Sequence, residues 1–238
     1  MLDFRQFWLE RIQTGEVTAN SANKDLIHIG DVLKTINSMK RLNLELPLGE
    51  LSFKQGEKNT RPPFSVSWIK NNILANGALL HLNDEARGLL IGMINTGYRP
   101  SEGATLTRQT IFLDTAIPHI SIEPNGRQLK TPHSRRKIPL TGVSLEVFRE
   151  FPDGFPRYKK QSAPSATINK FLKDNGLLES PQHSMYSLRH SFEDRMLSAG
   201  IDERIRRDIF GHTLNRERYG HGASLDHVAL LFSCSVCR

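Results

Sequence analysis

A phenol near the end of a basic run is the first residue whose type and setting suit chemistry. Tyr219 sits in FGHTLNRERYGHG, Phe210 to Gly222, among two histidines, two arginines and one glutamate. A phenol with an ordinary pKa of about 10 becomes a nucleophile only with cationic help. Cations in suggestive settings occur at three other places. In NTGYRPSEGATL, Arg99 emerges beside Pro100, a good first residue for a new turn. Glu102, three residues on, can cap that turn or hold the guanidinium. The alternative is an ordinary capping arginine.

In LKTPHSRRKIPL, Lys130 stands where a strand gives way to a turn at Thr131-Pro132, and Arg135, Arg136 and Lys137 follow. A basic turn beside a strand can approach a phosphate backbone. It can equally be a hairpin edge protected by charge. In SMYSLRHSFEDRML, Arg189 and His190 fall early in a helix whose apolar face is Leu188, Phe192, Met196 and Leu197. Arg189 borders that face, and a buried arginine needs an anionic partner. Glu193 at helical spacing is one candidate and a ligand phosphate the other. Finally, Gly211-His212 closes a helix shortly before Tyr219.

The elements that must position these residues are mostly helical. Leu26, Ile29, Leu33 and Ile36 recur at steps of three and four, which predicts an amphipathic helix. ELPLGELSFKQGEKNTRPPF then reads as a linker over residues 44–62, polar and closed by two prolines. The first 40 residues are too few to bury a core alone. From Phe64 the chain reads as one unit. A helix follows Ser65 or Ser67, and another spans Asp84 to Asn95, buried through Leu89, Leu90, Met93 and Ile94 and stopped by Gly97. QTIFLD, IPHISIE and RKIPL read as three short strands, with a tight turn at Asn125-Gly126. Helical patterns return at 142–150, 165–175, 186–199, 203–210 and 224–232. Gly200 ends one of them and Asp202 caps the next. The fold class is therefore α+β, mostly helical, with a small antiparallel three-stranded sheet. The division predicted is a partial helical region and linker over 1–60 and a second domain over 61–238.

Composition narrows the partners. The chain carries 32 Lys+Arg against 25 Asp+Glu, a formal charge of +7, which favours a polyanion such as nucleic acid. Arg204, Arg206 and Arg207 offer further phosphate contacts, or a solvated helix face paired to Asp202, Glu203 and Asp208. The two cysteines, Cys234 and Cys237, form a lone CSVC without the partners of a zinc site. Nothing suggests a disulfide framework, so a reducing cytoplasm is expected. No apolar run approaches a membrane span, and the charged, aromatic N-terminus does not read as a signal peptide.

Taken in order, the four motifs resemble the tyrosine recombinase or phage integrase family. TGYRPSE looks like its first arginine box, LKTPHSRRKIPL like its lysine hairpin, YSLRHSFEDRM like its second arginine box, and FGH followed by a tyrosine like its end. The resemblance covers residues 64 to about 232. It implies that residues 1–60 are the tail of a core-binding region. It also implies roles: Arg99 and Arg189 grip the scissile phosphate, Lys130 is the general acid, His212 assists at the phosphate, Tyr219 is the nucleophile and Glu102 supports Arg99. One position departs, because Tyr186 stands where the family commonly has histidine. His183, one turn earlier, is a weak substitute.

The implied reaction suits these residue types. Arginine forks satisfy two phosphate oxygens at once and never lose charge. The sugar hydroxyl that leaves needs a proton, which a lysine such as Lys130 can supply. No metal, nucleotide or other cofactor is needed, in keeping with the lack of a P-loop or a carboxylate cluster. The expected function is site-specific cleavage and rejoining of double-stranded DNA through a covalent 3′-phosphotyrosyl intermediate, in a phage or mobile-element setting. The resemblance further implies a homo-tetramer, with Leu225, Val228, Ala229, Leu231 and Phe232 docking on a neighbour. A helix folded back on its own domain would look the same. Two alternatives are a non-enzymatic DNA-binding protein of the same fold and, more remotely, a metal hydrolase using His212, His221 and His227.

Overall fold

The computed structural model describes residues 2–54, 61–124, 135–159, 164–212 and 222–232. The chain divides into two compact units, Met1–Thr60 and Arg61–Arg238. Lys130, Tyr219, His221 and both cysteines lie outside the described residues, as does the Asn125-Gly126 turn.

In the first unit, α1 (Leu2–Gln13) and α2 (Ala19–Met39) are joined by a turn, and Thr18 caps α2 by accepting from Ser21 N. The face that α2 buries is Ala22, Asn23, Leu26 and Gly30. This is rotated from the predicted stripe, and Ile36 is exposed. The predicted linker is corrected too. Its first half packs back on the helices, so that Leu51 and Phe53 join Ala22 and Leu26 in a small core with Phe4, Trp8, Leu9 and Leu48 alongside. The cause is polar as well as apolar. The buried Asn23 carboxamide donates to Phe53 O at 3.0 Å and accepts from Phe53 N at 2.8 Å, satisfying an otherwise orphaned piece of backbone.

The second unit begins with α3 (Val66–Trp68), capped by Ser65, and runs on into a π-helical turn at Ile69–Ile73. Next comes α4 (Asp84–Gly92), where Asn83 accepts from Ala86 N and Asp84 and Glu85 complement the helix dipole. A short α5 (Pro100–Gly103) leads to β1 (Ile111–Phe112), β2 (His119–Ile122) and β3 (Arg136–Pro139). These form an antiparallel sheet in the order β1-β2-β3, with Ile111 opposite Ile120 and Ile120 opposite Ile138. Among the described residues the unit continues with α6 (Gly142–Glu150), α7 (Pro156–Lys159), α8 (Pro164–Asp174), α9 (Ser187–Ser198), α10 (Glu203–Phe210) and α11 (Leu225–Phe232).

The architecture is α+β, mostly helical, with one small three-stranded antiparallel sheet. One apolar core, built on Leu89, Leu90, Met93, Ile120, Ile138, Phe148, Leu188, Phe192 and Phe210, binds sheet and helices together. Val228 and Phe232 belong to the same core, and the Phe232 ring meets Phe192 edge-on at 5.2 Å. Part of the apolar surface of α11 is therefore used within its own chain, while Leu230 stays exposed. Among the described residues no helix is long and apolar enough to cross a membrane.

Candidate active site

Three local devices put the candidate residues in place. The first is the end of α4. Gly97 has φ +58°, a left-handed turn that glycine tolerates, and the chain reverses there toward Arg99. Pro100 starts α5, and Glu102 closes a capping box by accepting from the Arg99 backbone N–H at 2.7 Å. The same carboxylate takes the Arg99 Nη1 hydrogen at 2.7 Å. The second device is the first turn of α9. There Arg189 is 3% exposed and donates to Gly97 O at 2.5 Å and to Phe210 O at 2.6 Å. Its guanidinium also lies over the Phe210 ring, 4.4 Å from the centroid. The third is the end of α10. Gly211 adopts φ +62°, and His212 N donates back to Arg207 O at 2.9 Å, the Schellman pattern. That turn sets the His212 ring beside Arg189, with Nη2 to Nε2 at 3.3 Å.

Of the two partners considered for Arg189, Glu193 is not the one taken. Glu193 faces Arg206 at 4.0 Å, and among the described residues no carboxylate comes within ion-pair distance of Arg189. Its described partners are two carbonyls and a neutral ring. Burial, eased by the Tyr186 phenol and reinforced by repulsion from Arg99 and Arg136, pulls its pKa down to about 10. It stays charged at neutral pH. Burial, then the charges of Arg189, Arg99, Arg207 and Arg136, push His212 down to about 4. Because a guanidinium can only donate, His212 Nε2 accepts, and the neutral ring carries its proton on Nδ1.

Arg136 corrects its predicted setting. It was expected on a basic turn exposed to phosphate. Instead its side chain is 5% exposed, and its fork grips both Glu102 oxygens, Nη2 to Oε2 at 2.7 Å and Nη1 to Oε1 at 3.1 Å. Its Nε donates to Ile209 O at 2.6 Å. The signal was present in the sequence. In a strand, residues 136 and 138 share one face, and Ile138 faces the core. Arg135 and Lys137 are exposed, as a surface contact requires. Burial would raise the Glu102 carboxyl, but hydrogen bonds and charge from Arg136, then Arg99, outweigh it and hold the pKa at about 2. Three guanidiniums against one carboxylate leave a net charge of about two positive units around Arg99, Arg189, Arg136 and Glu102.

The remaining candidates divide. Tyr186 is at the start of α9, half-buried, with Arg61 over its ring at 5.6 Å and His190 edge-on at 5.5 Å. His183 is not at the site. It bonds Ser180 Oγ and Pro63 O and lies against Phe64 at 4.5 Å between ring centroids. Arg207 pairs with Glu203 at 2.7 Å. His227 is exposed on α11, and among the described residues no cluster of histidine, cysteine, aspartate or glutamate could hold a metal. Sequence reasoning missed Arg195. It donates to Asn95 Oδ1 at 2.8 Å and to Ile94 O, bracing α9 against the end of α4.

No family model matches the chain. Over 155 residues it is 25% identical to tyrosine recombinase XerC of Neisseria meningitidis, covering 59% of this chain and 48% of that protein. XerC of Neisseria gonorrhoeae is 26% identical over 156 residues, with the same coverage. The fold is shared with the Tn1549 transposon integrase, at TM-score 0.61 and 15% identity over 99% of this chain and 81% of that one. It is shared equally with the XerH site-specific recombinase, at TM-score 0.61 and 17% identity over 94% and 67%. The chain is thus similar in sequence to tyrosine recombinases and shares the fold of an integrase and a site-specific recombinase. It spans about half the length of the curated relatives it matches. Among the described residues the site brings together Arg99, Glu102, Arg189 and His212. The positions of the hairpin lysine and the tyrosine lie outside the described residues.

Proposed function

We propose that this chain is a DNA strand transferase, a site-specific recombinase or integrase that cleaves and rejoins strands through a covalent 3′-phosphotyrosyl intermediate. The observation that carries the proposal is Arg189. It is a buried, charged guanidinium with no carboxylate among its described partners, beside a neutral histidine and within the field of Arg99. Such a cation is short of an anion, and a phosphodiester supplies one. The XerC relatives bear the recombinase name, and the Tn1549 integrase and XerH were solved on DNA, which supports the same substrate here.

The site then acts as follows. Arg99 and Arg189 neutralise the nonbridging oxygens, whose charge grows in the transition state. Tyr219 oxygen bonds to phosphorus as the bond to the 5′-oxygen breaks. Lys130 protonates that oxygen, and the phenolic proton passes to His212 once the phosphate has drawn Arg189 away from Nε2. The ester formed keeps the energy of the bond broken, so a second strand's hydroxyl can reverse the step. Arg135 and Lys137 contact flanking phosphates. A homo-tetramer on two DNA sites belongs to the same proposal.

The test is covalent capture. The chain is incubated in EDTA with a library of nicked duplexes of randomised sequence, then denatured. Adducts that survive, disappear in Tyr219→Phe and converge on one sequence support the proposal. Retarded DNA with no adduct points instead to a DNA-binding protein of the same fold, and loss of activity in EDTA to a metal hydrolase.

A further inference from the structure

We infer that Arg136 is a positioning residue for the candidate site, acting through Glu102 on Arg99 and through Ile209 O on the end of α10. The inference rests on the strand-transfer reading for its catalytic consequence, but not for its geometry.

Glu102 is the hub. One carboxylate oxygen, Oε2, takes the Arg99 backbone N–H and Arg136 Nη2, both at 2.7 Å. The other, Oε1, takes Arg99 Nη1 at 2.7 Å and Arg136 Nη1 at 3.1 Å. Arg99 alone holds each oxygen by one hydrogen bond, and the one on Oε1 comes from the end of its own long side chain, so carboxylate and guanidinium could shift together about soft torsions. The bidentate fork from Arg136 removes that freedom, because both oxygens are fixed in one plane. The Arg99 guanidinium, tethered to one of them, is thereby aimed. Its remaining N–H groups are left for a ligand.

The third hydrogen of the Arg136 fork adds a second link. It goes to Ile209 O, and the next carbonyl along, Phe210 O, holds Arg189. Two residues further stands His212. Arg136 therefore joins β3 to the Arg99 segment and to the end of α10, where Phe210 O holds Arg189 and the chain turns to His212. It does so from a strand whose sequence neighbours, Arg135 and Lys137, point to solvent. Lysine has the charge but not the fork, so Arg136→Lys separates charge from geometry.

The direct readout is the Arg99 side chain. By nuclear magnetic resonance, the Nε–H order parameter of Arg99 in the wild-type chain is expected near that of Arg136, about 0.85, and to fall below about 0.6 in Arg136→Lys. A mobile Arg99 beside a rigid Arg136 in the wild-type chain overturns the inference even if the variant does not fold. So does a rigid Arg99 in a folded Arg136→Lys. On the duplex captured above, Arg136→Lys should slow single-turnover cleavage on the order of 10²-fold. Affinity and its salt dependence should stay within about twofold, since no phosphate contact is lost. Lys137→Ala should do the reverse, weakening binding and reducing the salt slope. A shallower salt slope in Arg136→Lys, or unchanged cleavage, overturns the inference. A wild-type chain that forms no adduct sinks the strand-transfer reading, and the order parameters still decide this one.

Discussion

Arg189 Nη2 faces His212 Nε2 at 3.3 Å, a charged donor set against the accepting nitrogen of a neutral ring. The pair fixes the histidine's protonation. The imidazole cannot gain a proton on Nε2 while the guanidinium holds that lone pair, and the surrounding arginines oppose a further positive charge.

His212 should therefore titrate at about 4 in the DNA-free chain, far below the ordinary 6.5. The sign for stability follows from linkage. The unfolded chain binds the proton first, so this contribution is fully present above the ordinary pKa and is lost as pH falls toward 4. Proton-detected titration of the ring gives the value. Occupying the site with inorganic phosphate should move it upward, because an anion beside Arg189 favours the imidazolium. A ring that titrates normally without ligand contradicts the arrangement.

Glu102→Gln should destabilise the second unit by about 3 kcal/mol, since it removes the carboxylate that two guanidiniums share in a buried ion-pair hub. The folded carboxyl sits at about 2 against an ordinary 4.5. Its stabilisation is therefore present above 4.5 and lost as pH falls toward 2. Denaturant melts at pH 7 and pH 3 should show the difference between wild type and variant shrinking at the lower pH.

Gly97→Ala tests the turn that presents Arg99. A β-carbon there would lie 2.8 Å from Phe192 Cδ1 and 3.1 Å from the Phe210 ring, at φ +58°. Left-handed strain and overpacking together should cost about 2–4 kcal/mol. Because Gly97 O also holds Arg189, cleavage of the captured duplex should fall further than the lost folded fraction explains. Thermal melting and single-turnover rates measured together separate the two effects.

Tyr186 tests the departure from the family pattern. If its hydroxyl donates to the phosphate, Tyr186→Phe should slow cleavage about tenfold, in line with loss of one hydrogen bond to a charged group of about 1.5 kcal/mol. Tyr186→His should not slow it. Equal rates in all three would assign the ring to packing with Arg61 and His190 alone.

Much of this molecule was legible in the chain. Helix limits followed in part from local chemistry: Asp202 caps α10 and Gly211 stops it, each acting within a few residues, whereas α4 ends at Gly92, short of the Gly97 turn expected to close it. The capping role of Glu102 toward Arg99 was legible for the same reason, being three residues away. The small core of the first unit was not, because Asn23 and Phe53 are 30 residues apart.

What the sequence determined by itself was the order and type of the candidate residues and the turns that carry Arg99 and His212, since caps and periodicity act over a few residues. Only the tertiary structure decided which anion each arginine meets. Glu193 was near Arg189 in sequence but pairs with Arg206, and Arg136 turned from solvent to Glu102, 34 residues away. A buried charge takes the partner that best offsets its desolvation, and that partner is chosen by how distant segments pack.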